Sequence, residues 1–349
     1  MHMADALLSP TVSGVMSAVT AGAIVFSASR VKKEAELSPA WIGDRKIPVM
    51  GVMGAFVFAA QMINFTIPAT GSSGHIAGGI LLAAMLGPYA AFLTLASVLV
   101  IQCLFFADGG ILALGCNIFN MGFISCLIAY PNIFKPIAGR APDVKKITTA
   151  SVAASVVGLQ IGALGVVLET LFSGVTELPF STFVLLMQPI HLAIGAVEGI
   201  ITAAALCFVF QMRPELLDFS DGAPAPASSK PSVSYAKTLL VLLAIAAAVG
   251  GGLSLYASDY PDGLEWSMER VAGTTELERS DPAHEAAAKL QESTAFMPDY
   301  GFKSDGDEGS ALGTSSSGII GGALTLALAA AVGASITALK KHPKKNDAI

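Results

Sequence analysis

The chain has 349 residues, of which 53% are hydrophobic and only 13% charged, and its formal net charge is −6. A soluble domain carries about a quarter charged residues, so the composition excludes an ordinary water-soluble enzyme and offers no basic surface for nucleic acid. The apolar runs are continuous, not alternating, which excludes a transmembrane β-barrel and leaves an all-α polytopic membrane protein, since only helices and closed barrels satisfy every backbone group in lipid.

In chain order, the first span is expected at about 12–29, followed by five basic residues between Arg30 and Lys46. A second span at 48–67 leads into the polar loop PATGSSGH. The apolar region 76–106 is broken at Gly87-Pro88 and exceeds one span of about 20 residues, so it divides into a short segment, 76–87, and a full one, 88–106. An Asp108-Gly109-Gly110 turn precedes a span at 111–130. Further spans are expected at 148–171 and 180–210, then a Pro/Ala/Ser linker near 221–232, a span at 235–256, a polar segment at 257–317 and a last span at 318–339 ending in KKHPKK. The domain reading is therefore 1–212, a linker 213–234, and a C-terminal module 235–349. All four cysteines (Cys103, Cys116, Cys126, Cys207) lie in apolar runs without zinc spacing and read as small membrane-core residues.

Sixteen of the 20 basic residues fall after span 1, in 135–146, at Arg213, Lys230 and Lys237, and at the C-terminus, whereas 257–317 holds four against 13 acidic residues. Placing the basic regions in the cytoplasm puts the N-terminus, the loop around His75 and segment 257–317 outside, with the C-terminus inside. Parity then requires three crossings between His75 and residue 135, which makes nine spans, seven before the linker and two after.

Met1 and His2 form the first candidate site. A free terminal amine, the Met1–His2 amide and a ring nitrogen of His2 can close two fused chelate rings on one ion. One place then remains in a square plane, the geometry favoured by Ni(II) and Cu(II). The start, MHMADALLSP, has no basic n-region, so no cleaved signal is expected and Met1 is expected to persist. GSSGHIAGG (71–79) supplies His75 as the fourth ligand. It is expected on the same side as His2, ahead of a broken segment of the kind that lines transporter cavities. Ser72, Ser73 and the loop backbone are placed to orient its ring.

Gln102, Asn117, Asn120, His191 and Glu198 sit within apolar runs, where polar groups face a bundle interior. Gln102, Asn117, Asn120 and His191 are candidates to support the ligands from behind, with helix–helix hydrogen bonding the alternative for the two asparagines. His191 and Glu198, seven apart, share a helix face. Gly14, Ala18 and Gly22 make a small-residue stripe suited either to docking another membrane subunit or to an internal contact. No G-x-x-x-x-G-K-[ST] loop occurs, so ATP hydrolysis by that route would fall to other polypeptides.

The stretches MHMADALLSP, GSSGHIAGG, QCLFFADGGILALGCNIFNM (102–121) and MQPIHLAIGAVEGIIT (187–202) resemble the CbiM/NikM family, the substrate-binding membrane subunits (S components) of energy-coupling-factor (ECF) transporters for cobalt and nickel. The resemblance spans residues 1 to about 212. It implies a seven-helix bundle whose extracytoplasmic N-terminus dips inward, with the metal held by the Met1 amine, the His2 amide and ring, and His75. It also implies a prokaryotic cytoplasmic membrane, an ECF coupling protein and cytoplasmic ATPases as partners, and the ion as substrate with no cofactor. The family start often continues with Ile and an acidic-Gly pair, where this chain has Met3-Ala4-Asp5-Ala6. YPDGLEWSMERVAG (260–273), holding Pro261, Asp262, Gly263, Leu264, Glu265 and Trp266, resembles the PDGLE segment of the small accessory subunit of these systems, and FMPDYGF (296–302) echoes the stretch before its last span. The fused form points to nickel. Cobalt uptake for cobalamin synthesis is the alternative, and a stand-alone carrier using His191 and Glu198 as a proton relay is the alternative of another class.

Overall fold

The structure, a computed structural model, describes residues 1–37, 45–176, 178–220, 234–275, 277, 279–303 and 311–338. The linker at 221–232, the KKHPKK end and part of segment 257–317 lie outside them.

Among the described residues, six helices are long and apolar enough to cross a membrane: α1 (Pro10–Leu37), α4 (Pro88–Phe106), α5 (Leu114–Ala138, π-wound over Ile118–Phe134), α6 (Val144–Ser173), α7 (Phe180–Met212) and α11 (Ala311–Ala338). Two shorter apolar helices, α2 (Ile47–Gln61) and α8 (Tyr235–Gly251), join them. Helix α3 (Gly79–Leu86) is wholly buried and has eight residues. At 1.5 Å per residue it rises about 12 Å, well short of a hydrocarbon core of about 30 Å. Segment 76–87 therefore holds a helix of less than span length, enclosed within the bundle. Helices α9 (Gly263–Ala272) and α10 (Pro282–Thr294) lie between α8 and α11.

The expected span at 48–67 also ends early. Its helix stops at Gln61, and Phe65–Ile67 pairs antiparallel with Ser72–Gly74, setting Phe65 opposite Gly74 and Ile67 opposite Ser72. The PATGSSGH loop is thus the tip and return strand of a hairpin. The C-terminal module packs into the bundle, with α8 and α11 against α2 and α9 against α7. Helix α1 is lightly attached. It buries Ser13, Thr20 and Ser27, seven residues apart, and Thr20 donates to the Gly115 carbonyl (2.7 Å).

At one end of the bundle, residues from three basic regions converge: Asp218 pairs with Lys135 (2.7 Å) and accepts from the Tyr130 hydroxyl (2.7 Å), and the Tyr235 hydroxyl donates to the Arg45 carbonyl (2.5 Å). Elsewhere, Met1, His75, Asp108 and the acidic segment meet one another, as charge placement predicts for loops sharing a side.

Candidate metal centre

The hairpin and the chain start bring the expected ligands together. The Met1 amine lies 3.4 Å from His75 Nε2, and the rings of His2 and His75 stack with centroids 5.1 Å apart and planes within 10°. His75 Nδ1 is 3.2 Å from the Ile76 carbonyl. A carbonyl only accepts, so Nδ1 carries the proton and Nε2 turns its lone pair toward the amine. Burial, then the neighbouring amine and His2, push the His75 ring down to about 3, so it is neutral and able to ligate across the ordinary pH range. Of the groups expected to orient the ring, the loop backbone does so, through the Ile76 carbonyl, and Ser72 and Ser73 do not. Ser73 sends its hydroxyl to the Tyr260 carbonyl (2.7 Å) and Ser72 points to Ser73 and Pro261.

His2 is held differently. Its Nδ1 pairs with Asp108 Oδ1 (2.8 Å), while Nε2 is buried without a partner. Burial favours the neutral acid at Asp108, but His2 and the Tyr300 hydroxyl (2.5 Å from Oδ2) hold its carboxyl at about 2. Closing the second chelate ring requires His2 Nδ1 to exchange Asp108 for the metal. Two of the ring and amine nitrogens are therefore already convergent and the third needs a side-chain rotation.

The remaining sequence candidates act on the backbone behind these ligands. Asn117 grips Met3 from both sides, accepting from its N–H (2.8 Å) and donating to its carbonyl (3.2 Å). Gly110 N–H also donates to the Met3 carbonyl (2.9 Å). The turn tolerates this because Gly109 has φ +79° and any Cβ on Gly110 would strike Asp5. Gln102 donates to Gln61 (2.8 Å), which donates to the Ala77 carbonyl (2.9 Å), so it supports the His75 loop through an intermediary. Asn120 instead bonds Glu169 (2.7 Å), the helix–helix alternative. His191 donates Nδ1–H to the Met187 carbonyl (2.8 Å) and leaves Nε2 buried without a partner, lining a void of about 10 Å³ with Met1, His75 and Asp262.

Sequence reasoning missed two carboxylates. Glu198, 1% exposed, accepts from the N–H groups of Ala77 (2.9 Å) and Gly78 (3.1 Å), so α7 anchors the loop just past His75. An acid in an apolar helix was visible, but its partners are backbone groups 120 residues away. Asp262, placed only in the accessory motif, forms an ion pair with the Met1 amine and lies 3.9 Å from His75 Nε2. Gly263 lets α9 come this close: a Cβ there would meet His191 and Ile194 at 3.0 Å. Leu264 is buried, and Trp266 donates its Nε1–H to the Thr70 carbonyl (3.0 Å). A cavity of about 830 Å³, lined by His2, Asp5, Asp108, Asp262, Glu265 and Arg279 among others, opens beside the ligands, and a lining in which acids predominate concentrates cations.

Residues 2–216 match the family described as the cobalt uptake substrate-specific transmembrane region, CbiM. The chain belongs to the CbiM family. Residues 236–338 match the PDGLE domain, so a CbiM region is fused to an accessory-type module in one multi-pass membrane protein. A protein of Archaeoglobus fulgidus named as a fused nickel transport protein, NikMN, is 31% identical over 335 residues, covering 94% of this chain and 96% of that one. The fused nickel transport protein NikMN of Rhodobacter capsulatus is 31% identical over 232 residues (62% of this chain, 64% of that one). The cobalt transport protein CbiM of Sorangium cellulosum is 30% identical over 181 residues (49% and 76%). A crystal structure of a truncated transition metal transporter superposes with a TM-score of 0.50 at 31% identity, covering 60% of this chain and 99% of that one. In this CbiM-family chain, Asn117→Ala is expected to release Met3 and weaken metal binding by up to about 30-fold. Two hydrogen bonds of about 1 kcal/mol each are lost, and a chelator-competition titration of the purified protein reads the change.

Proposed function

We propose that this chain is the ion-binding subunit of an energy-coupling-factor importer, taking Ni²⁺ from outside the cell through the nitrogens of Met1, His2 and His75. The approach of the terminal amine to the bare Nε2 of His75 carries this reading. It also rests on membership of the CbiM family and on the named nickel transport of the relative that matches nearly the whole chain. In outline, a cation gathers in the acidic cavity, displaces protons from the amine and the Met1–His2 amide, and draws His2 away from Asp108. Four nitrogens then surround it in a plane. An ECF coupling protein and cytoplasmic ATPases supply the energy, and their movement opens the site inward. The N-terminus and segment 257–317 are extracytoplasmic, the C-terminus is cytoplasmic, and the nine-span count belongs to this reading.

Reconstitution tests it: vesicles holding the chain with its coupling protein and ATPases should take up Ni²⁺ only with ATP, and uptake by the chain alone would overturn it. Co²⁺ is the second ion to try, because relatives of the CbiM region include named cobalt transport proteins. A competition titration with both ions should favour Ni²⁺.

Affinity should rise with pH because protons leave as the ion binds. The protons come from the amine and the amide, since His75, held at about 3, is already neutral. Between pH 6 and 7.5 the logarithm of the binding constant should climb by about one to two per pH unit. A flat profile would show that neither group ligates.

Gly14, Ala18 and Gly22 are all exposed, and a Cβ on Gly14 or Gly22 would meet nothing. This exposure supports docking over an internal contact, and we place the coupling protein on the stripe. Ala18→Leu with Gly22→Leu should leave Ni²⁺ binding unchanged and abolish co-purification of the coupling protein.

A further inference from the structure

We infer that the accessory module completes the metal site: Asp262 Oδ2 is an oxygen donor to the bound cation. This rests on the proposed N-terminal site and goes beyond it, because it moves one contact to the ion from the bundle to the fused module.

The carboxylate is fixed before any ion arrives. Oδ1 accepts from the N–H groups of Leu264 (2.8 Å) and Glu265 (3.0 Å) as the N-cap of α9, and Glu265 returns a bond to the Asp262 N–H (3.0 Å). This reciprocal cap fixes both the side chain and the start of the helix. The preceding backbone is bound to the His75 hairpin. Ser73 N–H donates to the Pro261 carbonyl (2.8 Å), its hydroxyl donates to the Tyr260 carbonyl, and Ser258 N–H donates to the Asn64 carbonyl (2.8 Å). Asp262 therefore moves with His75 as one unit.

Its free oxygen, Oδ2, faces the ligands, touching the Met1 amine and sitting 3.9 Å from His75 Nε2, while those two nitrogens are 3.4 Å apart. A first-row cation binds imidazole nitrogen at about 2.0–2.1 Å. An ion between this amine and Nε2 therefore lies within coordinating reach of Oδ2. Charge argues the same way. A divalent ion on a neutral amine, two neutral imidazoles and one deprotonated amide leaves one positive charge in a largely buried place. Buried charge is costly unless paired, and Asp262 supplies the opposite charge. Asp108 is already engaged by His2 and Tyr300.

The test uses the full-length protein with its native start, titrated with Ni²⁺ against a chromophoric chelator, and the visible spectrum of the loaded protein. Asp262→Asn keeps a good N-cap, as Asn and Asp cap comparably, so α9 should persist. We expect about a 30-fold or greater loss of affinity and a shifted d–d band, whereas Asp259→Asn, removing an exposed acid three residues away, should change neither. Asp262→Ser, also a capping residue, should match Asp262→Asn and guards against a fold defect peculiar to one variant. Native affinity and an unshifted spectrum in either Asp262 variant would overturn the proposal while leaving the nitrogen site standing. Failure of the native chain to bind Ni²⁺ or Co²⁺ would overturn both.

Discussion

A protein with a histidine-free extension of about ten residues ahead of Met1 is expected to bind Ni²⁺ at least about 100-fold more weakly than the native chain, a loss of roughly 2.7 kcal/mol or more. The extension carries the free amine out of chelating reach and turns the Met1 nitrogen into an amide, so the chelate ring closed by the amine is lost. The Met1 amine is engaged by Asp262 and His75, and the extension breaks both contacts. A protease site placed so that cleavage regenerates Met1 should restore affinity to the native value. Unchanged binding by the extended protein would remove the chain start from the site.

Glu198→Gln is expected to weaken binding about 30-fold and to lower the melting temperature, although Glu198 touches no ligand. Its two oxygens accept the Ala77 and Gly78 N–H groups. An amide offers one acceptor and turns two donors toward a second donor. Leaving a buried donor unpaired costs about 1–3 kcal/mol. The loop that carries His75 would lose its tie to α7, so His75 Nε2 would no longer be held opposite the amine. Glu198→Asp, one methylene shorter, should recover part of the affinity. A variant that loses stability but binds Ni²⁺ as the native chain does would make Glu198 a fold residue only.

The parts legible in the sequence are those encoded locally. A long apolar run between charged loops specifies a crossing helix wherever it lies, and Pro10–Leu37, Pro88–Phe106 and Ala311–Ala338 appear close to their expected places. The chelating potential of Met1 and His2 is equally local, since adjacent residues carry all three nitrogens. His75 could be singled out because glycines flank it and a broken segment follows.

Pairings across the chain were not legible. Phe65–Ile67 reads as the end of an apolar run until Ser72–Gly74 pairs with it. Ser73 seemed placed for the neighbouring imidazole, yet its hydroxyl reaches a carbonyl 187 residues away. Asp262 could be tied to a motif but not to the amine 261 positions earlier. Backbone N–H and C=O groups have no sequence signature, and Glu198, Asn117 and Ser73 all act on backbone. Tyr300 shows the same gap. FMPDYGF stood out as a stretch, but its role depends on stacking against Phe106 (5.1 Å between centroids) so that its hydroxyl meets Asp108.

X-ray absorption at the nickel edge, on the full-length protein with its native start loaded with one equivalent of Ni²⁺, tests the central claim most directly. The account predicts a shell of nitrogen and oxygen donors without sulfur, the outer-shell scattering of two imidazoles, and loss of one imidazole in His2→Ala and one in His75→Ala. An all-oxygen octahedral shell, a sulfur donor, or imidazole scattering unchanged in both variants would contradict it.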